Sequence, residues 1–328
     1  MTDNGTDSGY KNVDGKLYGF NAGMKGTKNS EYEGGHRVPF LISYPDKNIS
    51  GGKDISELTA HLDILPTLAK LCDIKLPDLK IDGLDISSII LGEEKKINRK
   101  YLITDSQRVQ APIKWRKSAV MSDKLRLVNG EELYNIANDP AQKIDIAKQY
   151  PEIVNKMRGF YEEWWNSIST EFNLFPVIIL GSDNQNPIEL SCHDTHILDS
   201  KIPWNQDYIK EADKNPYGGN FTVEFERSGK YRVEISRWPF ESGLSINEAV
   251  KGRQKTISTE AISDGKAMGF IKGGIQIGAW VEEKEVVSNS KSIIFEGNFT
   301  KGKTDMTAWF TNADNVNWGA FYIKVTRL

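Results

Sequence analysis

Cysteine is almost missing from this chain: Cys72 and Cys192 are the only two, far apart in the sequence. That excludes a disulfide framework and leaves a chance pair of reduced thiols. A basic excess is missing as well. The formal net charge of −3 removes the electrostatic footprint on which nucleic-acid binding depends. No apolar run approaches the ~18 residues of a membrane span, and the opening MTDNGTDSGY has no apolar core of a signal peptide. Internal repeats and low-complexity tails are absent too. What is present is ordinary globular material, with 38% hydrophobic and 27% charged residues over 328 positions. That length and composition predict two or three compact units with real cores.

Residues 1–36 are polar and glycine-rich without a sustained period, and read as loops around short elements. The run VPFLISYP then reads as a strand buried on both faces, since Val38, Phe40, Leu41 and Ile42 leave little polar alternation. HLDILPTLAKLCD reads as a helix with Asp63 as N-cap and Pro66 in the first turn, where no amide donor is needed. Its apolar stripe is Leu65, Leu68, Ala69 and Cys72. A strand followed by a helix predicts an α/β layer within residues 1–98.

From residue 99 the pattern changes. YLITD, KSAVMSD and KLRLVNGEELY alternate around turns at Ser122–Asp123 and Asn129–Gly130. A long amphipathic helix opening at Pro151 carries Ile153, Met157, Phe160, Trp164 and Ile168 on one stripe. Residues 99–170 are thus expected to form a small antiparallel sheet covered by one helix. In FTVEFERSGKYRVEISRWPF, Phe221, Val223 and Phe225 face one way, and SGK turns the chain into Tyr231, Val233 and Ile235 on the matching face. GFIKGGIQIGAWVE, KSIIFEGNFT, MTAWFT and WGAFYIKVTRL continue in that style, which predicts a β-sandwich over residues 171–328.

TKNSEYEGGHRVPF, residues 27–40, crowds charges and bare backbone ahead of an apolar run, as an anion-binding loop would. Lys28 offers an ammonium for a phosphate- or sulfate-like oxygen. Asp3 and Asn4 offer hard oxygens suited to Ca²⁺ or Mg²⁺, with Gly5 letting the backbone turn away. Alone, Asp-Asn-Gly reads as a tight turn.

In order along the chain, TDNGT, GFNAGMKGTKNSEYEGGHRVPF, HLDILPTL and DGLDI closely resemble the sulfatase family, in its bacterial arylsulfatase-type branch. The resemblance covers residues 1 to about 168. It implies the C-terminal part of an alkaline-phosphatase-like α/β domain, here followed by the β-sandwich. By motif it implies that Asp3 and Asn4 are two ligands of the active-site cation, commonly Ca²⁺, and that Lys28 contacts the sulfate. His36 is then a wall residue of the substrate cleft, while Glu33 and Arg37 are structural partners of the loop.

The family's nucleophile is a formylglycine made within Cys/Ser-x-Pro-x-Arg. The nearest match, Ser43-Tyr44-Pro45-Asp46-Lys47, has Lys in place of Arg and sits where members commonly carry an aromatic-Pro step, so it is a coincidence of spacing. No catalytic residue is assigned. The chain reads as a C-terminal portion of a sulfuric ester hydrolase, inactive alone, with Ca²⁺ bound weakly or not at all. Its expected partners are the missing N-terminal half or a second copy, and the resemblance implies a periplasmic or secreted location. The rival functions are a phosphoesterase of the same superfold and a non-catalytic glycan- or partner-binding fragment. In the tail, SCHDTH lacks a second pair at zinc spacing. His193, Asp194, Trp204 and Asn205 are suited to a sugar or aryl pocket, although core packing is the first expectation for Trp204 and Trp238. His61 is expected to bond locally.

Overall fold

The structure, a computed structural model, describes residues 1–7, 11–14, 16–107, 109, 111–174, 176–196, 209–210, 219–257, 259 and 261–328. Two compact units follow one another, Met1–Phe172 and Asn173–Leu328.

The first unit opens with a short antiparallel pair, β1 (Lys11–Val13) and β2 (Lys16–Tyr18). One helical turn, α1 (Glu33–His36), follows. A 3₁₀ turn, His61–Asp63, runs directly into α2 (Ile64–Leu71), and α3 (Ser87–Leu91) comes next. Four strands, β3 (Leu102–Asp105), β4 (Ser118–Met121), β5 (Leu125–Val128) and β6 (Glu132–Asn135), pair antiparallel in chain order. Asn129 (φ 51°) and Gly130 (φ 73°) supply the two left-handed residues that a tight β5–β6 hairpin requires. The helix α4 (Pro151–Ser169) covers this sheet. Val154, Met157 and Tyr161 reach its core with Val120, Leu127 and Leu133, while Ile153, Phe160 and Trp164 flank it half-buried. The buried stripe is therefore rotated by about one residue from the one expected.

Two expectations for residues 38–72 need correction. VPFLISYP is not a strand: residues 37–43 lie in no sheet, with Phe40 42% and Leu41 86% exposed. A strand needs neighbours to take up its N–H and C=O groups, and among the described residues none lies beside this run. The strand–helix layer is thus present only as its helix. The stripe of α2 is also different. Leu65 and Leu68 are exposed, Cys72 is exposed, and Pro66, Thr67, Ala69 and Leu71 are buried.

The second unit contains two sheets. One orders β13 (Ile293–Phe299), β10 (Gly229–Ser236), β16 (Tyr322–Arg327) and β8 (Ile188–Ser191), all antiparallel. The other orders β12 (Trp280–Glu285), β11 (Phe270–Ile277), β14 (Gly302–Asn312), β9 (Phe221–Phe225) and β7 (Ile178–Leu180), with β15 (Asn317–Gly319) also on β14. The β7–β9 pair is parallel. Side chains of both sheets share one buried core, including Phe221, Val223 and Phe225 from one and Tyr231, Val233 and Ile235 from the other. The SGK turn thus does not close a hairpin. It carries the chain from one sheet to the other, so β9 and β10 meet through their side chains rather than their backbones.

Candidate functional site

Glycine shapes the loop that the sequence singles out. Gly34 passes so close to the preceding turn that a Cβ there would lie 2.1 Å from the Gly26 carbonyl oxygen. Gly5 runs against α1 in the same way: a Cβ there would lie 1.8 Å from the Gly34 oxygen. Two backbone bonds fix this contact, Gly5 N–H to Gly35 O and Lys28 N–H to Thr6 O, both 2.8 Å. Bare backbone in EGGH is therefore what lets the segment carrying Asp3 and Asn4 lie beside α1.

Charge then pins the loop to the antiparallel sheet. Glu33 is buried and accepts from Arg126 Nε at 2.5 Å, from His36 Nε2 at 3.2 Å and from Arg37 at 3.4 Å. Its own N–H donates to Gln142 Oε1 at 2.8 Å. Burial alone would raise the Glu33 carboxyl, but the His36 hydrogen bond and the Arg126 charge bring it down to about 2. Tyr32 and Tyr134 both donate to Glu132 Oε2 at 2.7 Å, and Lys25 Nζ sits 3.7 Å above the Tyr32 ring. Burial first, then the Glu132 carboxylate, pushes both phenols far above their ordinary range.

A second buried ion pair joins HLDILPTL to Arg99, and the same carboxylate also ties it to DGLDI. The Asp63 carboxylate accepts from Arg99 at 2.5 and 2.7 Å, from Leu84 N–H at 2.9 Å and from Ala60 N–H at 2.8 Å. Burial raises this carboxyl, but these bonds outweigh it and hold it below its ordinary value. Asp63 does stand at the N-cap position of α2, yet its side chain caps the preceding 3₁₀ turn instead. His61 reaches further than expected and donates from Nε2 to the Thr2 carbonyl at 2.9 Å.

Between these locks lies a cleft of about 1090 Å³, whose lining includes Asp3, Asn4, Glu33, His36, Arg37 and His61. Three of the residues chosen from sequence, Asp3, Asn4 and His36, thus meet at one cleft. Lys28 is not among its lining residues and pairs instead with exposed Asp7 at 3.5 Å. The His36 Nδ1 has no hydrogen-bond partner among the described residues. Arg126, Gln142, Glu132 and Arg99 escaped sequence reasoning. They lie between 36 and 109 residues from the Asp63, Glu33 and Tyr32 that they hold, so spacing carries no signal of those contacts.

Asp3 and Asn4 have the right chemistry for a hard cation, but the wrong number. They offer two oxygen-bearing side chains that bond to each other, Asn4 Nδ2 to Asp3 Oδ2 at 2.5 Å, whereas Ca²⁺ takes about six to eight oxygens. Among the described residues no group of three or more His, Cys, Asp or Glu side chains is placed to hold a metal. The pair fits a share of a coordination sphere, not a whole one. In the tail, burial pushes the Cys192 thiol up to about 11, and Asp194 accepts from Ser191 N–H at 2.7 Å. Trp238 is buried as expected, while Trp204 and Asn205 lie outside the described residues.

The model of the C-terminal region of N-sulphoglucosamine sulphohydrolase matches residues 27–164. Asp3 and Asn4 stand outside that match. Human steryl-sulfatase is 34% identical over 103 residues, 31% of this chain and 18% of that protein. An N-acetylgalactosamine-6-O-sulfatase of Bacteroides thetaiotaomicron is 30% identical over 152 residues, 42% of this chain and 29% of its own. Human arylsulfatase A is 43% identical over 68 residues, 21% of this chain and 13% of its own. The chain thus aligns with less than a third of each of these relatives. Residues 27–164 belong to the sulfatase family and correspond to its C-terminal region.

Proposed function

We propose that the first unit is the C-terminal wall of a sulfuric ester hydrolase active site of the arylsulfatase type, built on an alkaline-phosphatase-like α/β framework. The second unit is its β-sandwich accessory domain. One observation carries this reading: Asp3, Asn4 and His36 line a single cleft beside a loop immobilised by the buried Glu33–Arg126 pair. In this reading Asp3 and Asn4 supply part of the ligand set of a divalent cation, Ca²⁺ by family resemblance. Held there, such an ion would supply Lewis-acid polarisation of the sulfate. Lys28 exchanges its exposed Asp7 partner for a sulfate oxygen, and His36 forms part of the cleft wall. The substrate is a sulfate ester of a sugar or an aryl alcohol, and the protein works in the periplasm or outside the cell. Among the described residues no helix is long and apolar enough to cross a membrane.

The nucleophile is not within these residues, since no Cys/Ser-x-Pro-x-Arg occurs in them. That observation supports a second reading, a non-catalytic fragment holding a glycan or a partner. The DNA immediately upstream separates the two. An in-frame Cys/Ser-x-Pro-x-Arg segment, joined to this chain and expressed, should hydrolyse a chromogenic aryl sulfate in preference to the matching phosphate. In that joined protein Asp3→Ala should lower the rate by about a hundredfold or more. No such segment, no turnover, or faster phosphate hydrolysis would overturn the proposal.

A further inference from the structure

The second unit carries a half-buried tryptophan that stands outside its buried apolar clusters. Along β14, Ala308 and Phe310 point into the shared core, so Trp309 between them points to the opposite, outer face. Trp309 belongs to none of the buried apolar clusters, and its Nε1 has no hydrogen-bond partner among the described residues. Its cross-strand neighbours are glycines on both sides, Gly274 of β11 and Gly319 of β15. A Cβ on Gly274 would lie 2.4 Å from Trp309 Cε2 and Cζ2. The indole therefore lies down across the glycine, half-buried, with its Nε1 enclosed and the strand alternation setting it on the outer side of the sheet. Around it the register places Gln276 beside Thr307 in one neighbouring row and Lys272 in the other, with Glu283 beyond Gly274.

We propose that this outer face binds a neutral sugar residue of a polysaccharide, with its pyranose ring stacked on Trp309. A sugar presents a flat patch of C–H groups on one ring face, which suits the electron-rich face of an indole. Its rim hydroxyls can donate to Gln276 Oε1, Thr307 Oγ1 and the Glu283 carboxylate, while Gln276 Nε2 and Thr307 Oγ1 themselves donate to Gly278 O and Asn220 Oδ1. A protein partner fits less well. A stable interface needs about 800 Å² from each side, and here one ring is ringed by polar groups. Charge favours a neutral ligand, because Lys272 and Glu283 on this face pair with each other at 3.7 Å. Among the described residues that register sets beside the ring, Lys272 is the cation, and Glu283 compensates it.

Affinity electrophoresis of the full 328-residue chain tests this, in gels cast with xylan, laminarin, mannan or a neutral galactan, and with chondroitin sulfate as the charged counterpart. Migration should slow in at least one neutral gel. Trp309→Ala should weaken binding at least tenfold, and Trp309→Phe should retain part of it. Gly274→Ala should weaken binding although the ring remains, because the added methyl lifts it. If Trp309→Ala fails to fold by circular dichroism, the Phe and Gly274 variants decide. Unchanged migration in every neutral gel, equal slowing of the folded variants, or slowing by chondroitin sulfate alone would overturn the proposal. Hydrolysis is not read, so the outcome is independent of the sulfatase reading.

Discussion

Glu33 shows how one side chain can carry a loop. Its carboxylate faces buried Arg126, largely buried His36 and exposed Arg37, while its amide is held by Gln142. Removing one member of a buried pair leaves the other charge without compensation, typically at a cost of 3–5 kcal/mol. Glu33→Gln should therefore lower the thermal midpoint of the first unit clearly at pH 7. Acid gives an independent check. The Glu33 carboxyl is depressed from 4.5 to about 2, so its contribution is complete above the ordinary value and drains away as the pH falls through that window. The wild-type midpoint should drop between those two values more steeply than that of the Gln variant, as measured by circular dichroism melts. Parallel curves would mean that Arg126 is not held by this charge. Asp3 makes the opposite case: exposed and one of only two donors, it should give no tight Ca²⁺ site in this chain. Calorimetry that finds such a site, lost in Asp3→Ala, would contradict this.

At the scale of elements, α2 and the run before it divide their side chains in an unusual way. Thr67, Ala69 and Leu71 pack inward, and Thr67 Oγ1 accepts from Ile86 N–H at 3.1 Å. Phe40, Leu41 and Leu68 surround a hollow of about 220 Å³ lined also by Met1 and Ile64, with Leu65 exposed nearby on α2. Clustered exposed apolar side chains on a soluble protein mark a surface that seeks cover. The chain by itself should bind a hydrophobic dye and sediment as more than a monomer at high concentration. Leu65→Lys with Leu68→Lys should suppress both without lowering the helix signal. A clean monomer with no dye bound would show that this surface needs no partner.

At the scale of the whole molecule, the question is whether the second unit stands alone. Its core draws on both sheets and is rich in large side chains, with Phe225, Tyr231, Phe295 and Phe310 fully buried. Each such ring removes about 150–250 Å² from water, worth ~25 cal/mol per Å². Residues 173–328 expressed alone should give a cooperative thermal transition and a β-type circular dichroism spectrum. An unfolded or aggregated product would mean that this core depends on the first unit and that the division at Asn173 is not a domain boundary.

What the sequence determined by itself is what local order encodes. Period-two alternation is visible within five residues, so Phe221–Phe225 and Tyr231–Ile235 were legible as strands with one buried face. Asn129–Gly130 announced its hairpin because few residues tolerate two left-handed conformations in a row. The motif blocks pointed to the family. Tertiary structure alone decided which charges matter. Glu33 looked like one acid in a crowded loop, and nothing at that spacing pointed to Arg126, 93 residues on. It also decided that β9 and β10 lie in different sheets, because alternation reports a buried face and not a hydrogen-bonded neighbour. VPFLISYP failed for the same reason: apolar side chains describe what a strand would bury, but only an adjacent backbone makes it a strand.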